Sequence, residues 1–62
     1  MIQNKYLKVL NNQDGVEGAV VFDEKVSFAQ RVEITELVRQ SEYRFEEITE
    51  EEYNNIPRKF EI

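Results

Sequence analysis

Six glutamates, Glu42, Glu46, Glu47, Glu50, Glu51 and Glu52, fall within residues 40–57, where Arg44 is the sole base. Carboxylates this close together support three kinds of chemistry. Two of them held in a cleft that splits their pKa values do general acid and base work, which here would fall to Glu46, Glu47 and Glu51. Several oxygens converging on a shaped loop hold a hard cation. A row of them on a surface meets a basic partner face to face. The first is opposed by size, because a chain of 62 residues seldom encloses a partly desolvated cleft. The second is opposed by arrangement, since consecutive glutamates on a helix point in different directions and the Asp-and-Gly spacing of a calcium loop is missing. The third fits. The segment carries a net charge of −5, the whole of the chain's excess, while outside it seven acids balance seven bases. The expected partner-binding residues are Glu46, Glu47, Glu50, Glu51 and Glu52, with Tyr53 beside them as an aromatic anchor.

Other chemistries fall to composition. The chain has no cysteine, which removes disulfides, thiolate metal sites and thiol catalysis, and no histidine, which removes the commonest general base and transition-metal ligand. Zinc fingers and histidine-based triads are excluded, and two glycines cannot build a phosphate-binding loop. An enzyme, a metal or a cofactor is therefore not expected. No apolar run approaches the roughly 20 residues that span a bilayer, and polar Gln3, Asn4 and Lys5 stand where a leader would be apolar. The expectation is a cytoplasmic protein without membrane attachment, in keeping with the absence of cysteine. Residues 1–62 read as one small domain. Its 40% apolar content and seven aromatics argue for a core, near the size where self-association or a partner supplies missing burial.

The elements that would position the glutamates follow from periodicity. Lys5–Leu10 and Gly18–Phe22 are β-favouring runs around Asn11–Glu17, where Asp14-Gly15 signals a hairpin turn with Gly15 supplying the positive φ, and Gly18 either marks a bulge or weakens the entry to the second strand. Across Lys25–Ile34, Val26, Phe28, Val32 and Ile34 recur at period two, which predicts a strand joined to the previous one by a tight turn at Asp23-Glu24. Wrapped on a helix, the apolar residues of this stretch would scatter around most of the circumference. The helical alternative rests on Ser27 and Gln30, which match a capping box. Thr35–Gln40 reads as one helical turn. Glu42–Ile48 reads as a fourth strand with Tyr43 and Phe45 on one face. Thr49 and Glu52 then form a T-x-x-E box that opens a short helix over about 49–56, ended by Pro57. Arg58–Ile62 alternates as a last edge strand with Phe60 and Ile62 inward.

The expected fold is mostly β, of the α+β class: a small antiparallel sheet or partly open barrel of about five short strands with one short helix near the C-terminus. In element order and length this resembles the SH3-like barrels. The alternative is ββαβ with a helix at about 28–40. The expected function is a non-enzymatic interaction module, an acidic inhibitor or adaptor docking on a basic surface of a larger protein. Compact acidic chains without Cys or His resemble the small regulatory products of bacteriophages and mobile elements. Two alternatives stand beside it. One is a structural subunit that self-assembles through exposed strand edges. The other is a small barrel that binds single-stranded nucleic acid through aromatics interleaved with Lys5, Lys8, Arg44, Arg58 and Lys59, against which the net charge of −5 weighs.

Overall fold

The structure, a computed structural model, describes residues 4–61. Strands β1 (Lys5–Leu10), β2 (Val16–Phe22) and β3 (Arg44–Ile48) form one open sheet in the order β2-β1-β3, with both pairings antiparallel. Helix α1 (Phe28–Gln40) joins β2 to β3, and helix α2 (Glu50–Asn55) follows β3.

The β1–β2 hairpin closes differently from the expectation. Asp14, with φ 64°, takes the left-handed position, and Gly15 does not. Asparagine and aspartate tolerate that region. The turn is then fixed by Asn11, whose Oδ1 accepts from the Gln13 and Gly15 N–H groups, each at 2.8 Å. Gly15 is needed for room, since a Cβ there would lie 2.8 Å from Asn11 Nδ2. Beyond the turn the pairing passes from Leu10 opposite Val16 to Val9 opposite Gly18, so a bulge at Glu17 precedes Gly18.

Residues 28–40 are a helix of 13 residues, which overturns the strand expected over 25–34 and the three-stranded meander built on it. Topology supplies the reason. Both β2 and β3 run antiparallel to β1 from opposite sides, so they are parallel to one another and need a crossover of about a dozen residues. A helix of that length carries the chain back about 20 Å. Its ends are specified locally. Gln30 N–H donates to Ser27 Oγ at 3.1 Å, and Ser27 N–H donates to Gln30 Oε1 at 2.9 Å, so the capping box is complete. At the other end Glu42, φ 66°, takes the left-handed position after the Ser41 cap. Its N–H reaches Arg39 O at 3.0 Å and the Tyr43 N–H reaches Val38 O at 3.0 Å, the paired bonds of a Schellman motif. The Asp23-Glu24 turn opens the helix instead of joining two strands: Arg31 donates to Asp23 O at 2.7 Å and to Val26 O at 3.1 Å.

The C-terminal segment is also not the expected strand. It meets the outer edge of β2 at one parallel bridge, Ala19 with Lys59, through Ala19 N–H to Arg58 O (2.9 Å) and Phe60 N–H to Ala19 O (2.8 Å). The inward placement expected for Ile62 lies outside the described residues. Phe60 passes so close that a Cβ on Gly18 would stand 2.6 Å from its ring, which accounts for glycine at that position. The five strands and the SH3-like barrel are thus replaced by an open three-stranded sheet, and the ββαβ alternative with a helix over 28–40 matches the element order.

Strand alternation sorts the side chains onto two faces. Leu7, Val9, Val20 and Phe22 are buried beneath α1 with Val26, and Ile34, Val38 and Phe45 pack against them. Phe22 and Phe45 meet edge to face at 5.8 Å. On the opposite face Tyr6 stacks against Tyr53 of α2, with ring centroids 5.2 Å apart, and Leu10 and Ala19 are buried.

Candidate interaction surface

The sheet register divides the acidic segment. Glu46 lies opposite Lys8 on the face away from α1, and Lys8 Nζ stands 3.6 Å from its carboxylate. Glu47 lies opposite Leu7 on the α1 face, at the rim of a groove. The two neighbours therefore cannot act as a carboxylate pair. Among the described residues, no group of three or more acidic side chains is placed to hold a metal ion.

Glu50, Glu51 and Glu52 occupy the first turn of α2 and are exposed. The Thr49 side chain caps this turn, accepting the Glu52 N–H at 3.2 Å, and the negative charges sit where the helix dipole favours them. Ile56, held extended at φ −86° and ψ 117° before Pro57, ends the helix as the proline requires. Tyr53 turns back to the sheet: its half-buried ring packs on Tyr6, and Lys59 Nζ lies over the same ring, 5.0 Å from its centre. Lys59 also donates to the Ile56 carbonyl. The residue expected as a partner anchor is thus the rivet that holds α2 in place.

Charge pairing leaves the end of the segment uncompensated. Arg44 is bound to Asp14 at 2.5 Å, tying β3 to the β1–β2 turn. Lys8 faces Glu46, and Arg39 is held by Glu36 at 2.7 Å. The hydrogen bond from Arg39, reinforced by its charge, lowers the Glu36 pKa from the usual carboxylate value. Glu47, Glu50, Glu51 and Glu52 make no ion pair among the described residues.

Apolar surface on α1 was not foreseen as a site. Phe28 is 81% exposed, and Val32 and Leu37 are more than half exposed. Between α1 and the sheet lies a groove of about 600 Å³ whose apolar walls are Leu7, Phe22, Phe28, Val32 and Phe45. A second hollow of about 330 Å³, lined by Val9, Val20, Ile34, Val38, Tyr43 and Phe60, lies along another part of the helix. The sequence did hold the signal, in the apolar residues that scatter around the helical circumference.

The basic residues considered for nucleic acid do not share a face. Lys5 lines the α1 groove, whereas Lys8 and Arg44 lie on the opposite side in ion pairs. Arg58 sits over Phe60 at 5.2 Å. No helix among the described residues is long and apolar enough to cross a membrane. No known protein family matches the chain, and no curated protein or solved structure matches it.

Proposed function

We propose that this chain is a non-enzymatic interaction module, an acidic inhibitor or adaptor that sets the α2 end of the molecule against a basic surface of a larger protein. The observation that carries this reading is the set of exposed, uncompensated carboxylates at Glu50, Glu51 and Glu52. They are presented on a helix whose position is fixed by Tyr53 and Tyr6. A helix fixed in this way keeps the three charges on one end of the molecule, from which they steer encounter at a distance.

The test is a salt-gradient pull-down from bacterial lysate with the tagged protein beside a Glu50→Lys, Glu51→Lys double variant whose thermal melt is compared with the parent. The expected result is one stoichiometric partner, released by salt and missing from the variant lane, with both proteins folded. Partner capture that is insensitive to salt, or undiminished in the double variant, overturns the reading.

A further inference from the structure

We propose that two copies of this chain form a two-fold dimer by antiparallel pairing of their β3 edges, in the register that sets Phe45 opposite Phe45. The inference goes beyond the docking reading and uses a different surface.

The order β2-β1-β3 leaves β3 with one edge against β1 and the other without a strand among the described residues. The outer edge of β2 is already met by the Arg58–Phe60 segment. An exposed edge is a template for another strand, and charged side chains ordinarily guard it. On β3 the charges are Arg44, Glu46 and Glu47, and their effect depends on register.

A two-fold axis normal to the sheet keeps the α1 faces of both copies on one side. Opposed residues must share a face, so the axis passes through a residue and not between two. Centred on Arg44 it sets Arg44 against Arg44. Centred on Glu46 or Glu47 it sets like carboxylates against each other at the closest approach. Centred on Phe45 it sets Arg44 opposite Glu46 twice, on the face away from α1, with the two Phe45 rings adjacent on the α1 face. Centred on Ile48 it sets Glu46 against Glu50. Only the Phe45 register among the five turns the guarding charges into two cross-strand ion pairs. Arg44 has five N–H donors and can hold a second carboxylate beside Asp14, and the 3.6 Å contact of Lys8 with Glu46 leaves that carboxylate free to share.

The same pairing accounts for the uncovered helix. Among the strands α1 packs most on β3, and Phe45 forms part of the groove beside Phe28 and Val32. Joining the β3 edges makes a six-stranded sheet and brings the second copy's helix alongside that groove. A stable interface buries about 800 Å² per partner, roughly a sixth of the 4768 Å² surface of one copy. In this register three residues of each β3, Arg44, Phe45 and Glu46, face one another, and these alone fall short of that area, so closure of the groove is part of the proposal.

Sedimentation velocity across a wide concentration range is expected to show a monomer–dimer equilibrium. Glu46→Arg, which faces Arg44 with a like charge at both pairs, is expected to weaken it on the order of tenfold or more while circular dichroism shows a folded chain. The register is read by mixing Arg44→Cys protein with Glu46→Cys protein under mild oxidation, in a chain with no cysteine of its own. A crosslinked heterodimer from the mixture, with neither variant crosslinking alone, supports the proposal. A monomer at every concentration, dimerisation unaltered by Glu46→Arg, crosslinking by Glu46→Cys alone, or no crosslink from the mixture overturns it. The Glu50→Lys, Glu51→Lys variant is expected to dimerise normally, so failure of the docking reading and failure of this one are separate outcomes.

Discussion

The two faces of the sheet are held by opposite means. Helix α1 is long, capped at both ends and braced by the Glu36–Arg39 pair, yet none of its residues is buried. Ile34 and Val38 lean on the core, and Arg31 lies 5.5 Å over the Phe22 ring while tethering the first turn to the Asp23–Val26 turn. On the opposite face α2 has six residues, too few to persist alone in water. It is held by the Tyr6–Tyr53 stack and by the segment bonded to Ala19, which is wholly buried. The contrast separates two sources of order. Local hydrogen bonding specifies that α1 is a helix but secures its place weakly, whereas α2, also capped locally by Thr49, depends on tertiary contacts to persist.

The largest effect is expected where both faces depend on one strand. Leu7→Ala removes a side chain only 5% exposed at the centre of the core and is expected to cost about 2–4 kcal/mol. In a domain of this size that is most of the stability, so urea titration is expected to show a chain largely unfolded in buffer at room temperature. A midpoint near that of the parent would mean that the core is not where the free energy lies.

Tyr53→Ala comes next and addresses one face only. Loss of the ring contact and its burial is expected to cost about 1–2 kcal/mol. Amide exchange should quicken at Ala19 and Phe60, whose N–H groups bond across the segment that Lys59 joins to Tyr53, while the α1 amides keep their protection. Equal loss of protection in α1 would show that the two faces are coupled.

The same contrast explains which elements could be read in the sequence. The hairpin, β3 and the capped start of α2 rest on alternation and on residues within three positions of each other, and these were legible. The α1 segment misled because Val26, Phe28, Val32 and Ile34 do alternate, but for unrelated reasons. Val26 is buried in the turn before the helix and Ile34 faces the core, whereas Phe28 and Val32 line the open groove and stay more than half exposed. An apolar outer stripe is what the wheel argument counted against a helix. The Ser27–Gln30 box was the better local signal, and the need to cross β1 was visible only once the strand order was known. For the acidic segment, alternation foretells that Glu46 and Glu47 part to opposite faces. The engagement of Tyr53 by Tyr6, 47 positions away, is not a local fact, whereas the left-handed turn at Asp14 instead of Gly15 is a local one set by Asn11, which accepts from the Gln13 and Gly15 N–H groups.

If α1 is specified locally, its caps should respond to substitution independently of the core. Glu42 occupies the left-handed position that glycine adopts without steric cost. Its side chain gives up only a 3.5 Å contact from Asn12 on replacement. Glu42→Gly is therefore expected to stabilise the protein by up to about 1 kcal/mol, since relief of the Cβ strain outweighs the entropy gained by the unfolded chain. The thermal midpoint should rise by several degrees, on the order of 4–8 °C per kcal/mol for a domain this small. A fall in the midpoint would show that the Asn12 contact, or the charge itself, holds the helix end.

The smallest expected effect concerns the brace within α1. Because Arg39 lowers the folded-state pKa of Glu36 below its ordinary value of 4.5, the pair's contribution is present above that value and is lost as pH falls through the lower, folded one. Both side chains are on the surface, so the contribution is small and is screened by salt. The chain carries twelve other acidic side chains. The informative quantity is thus the difference between the parent and Glu36→Gln in acid melts followed by helical circular dichroism. The two curves should converge at the acid end and separate above pH 4.5, with the parent the more stable, and the gap should close in high salt. Curves that stay parallel through the titration would remove the ion pair from the account of α1 and leave the Ser27–Gln30 box and the Glu42–Tyr43 motif as the determinants of a helix that buries none of its residues.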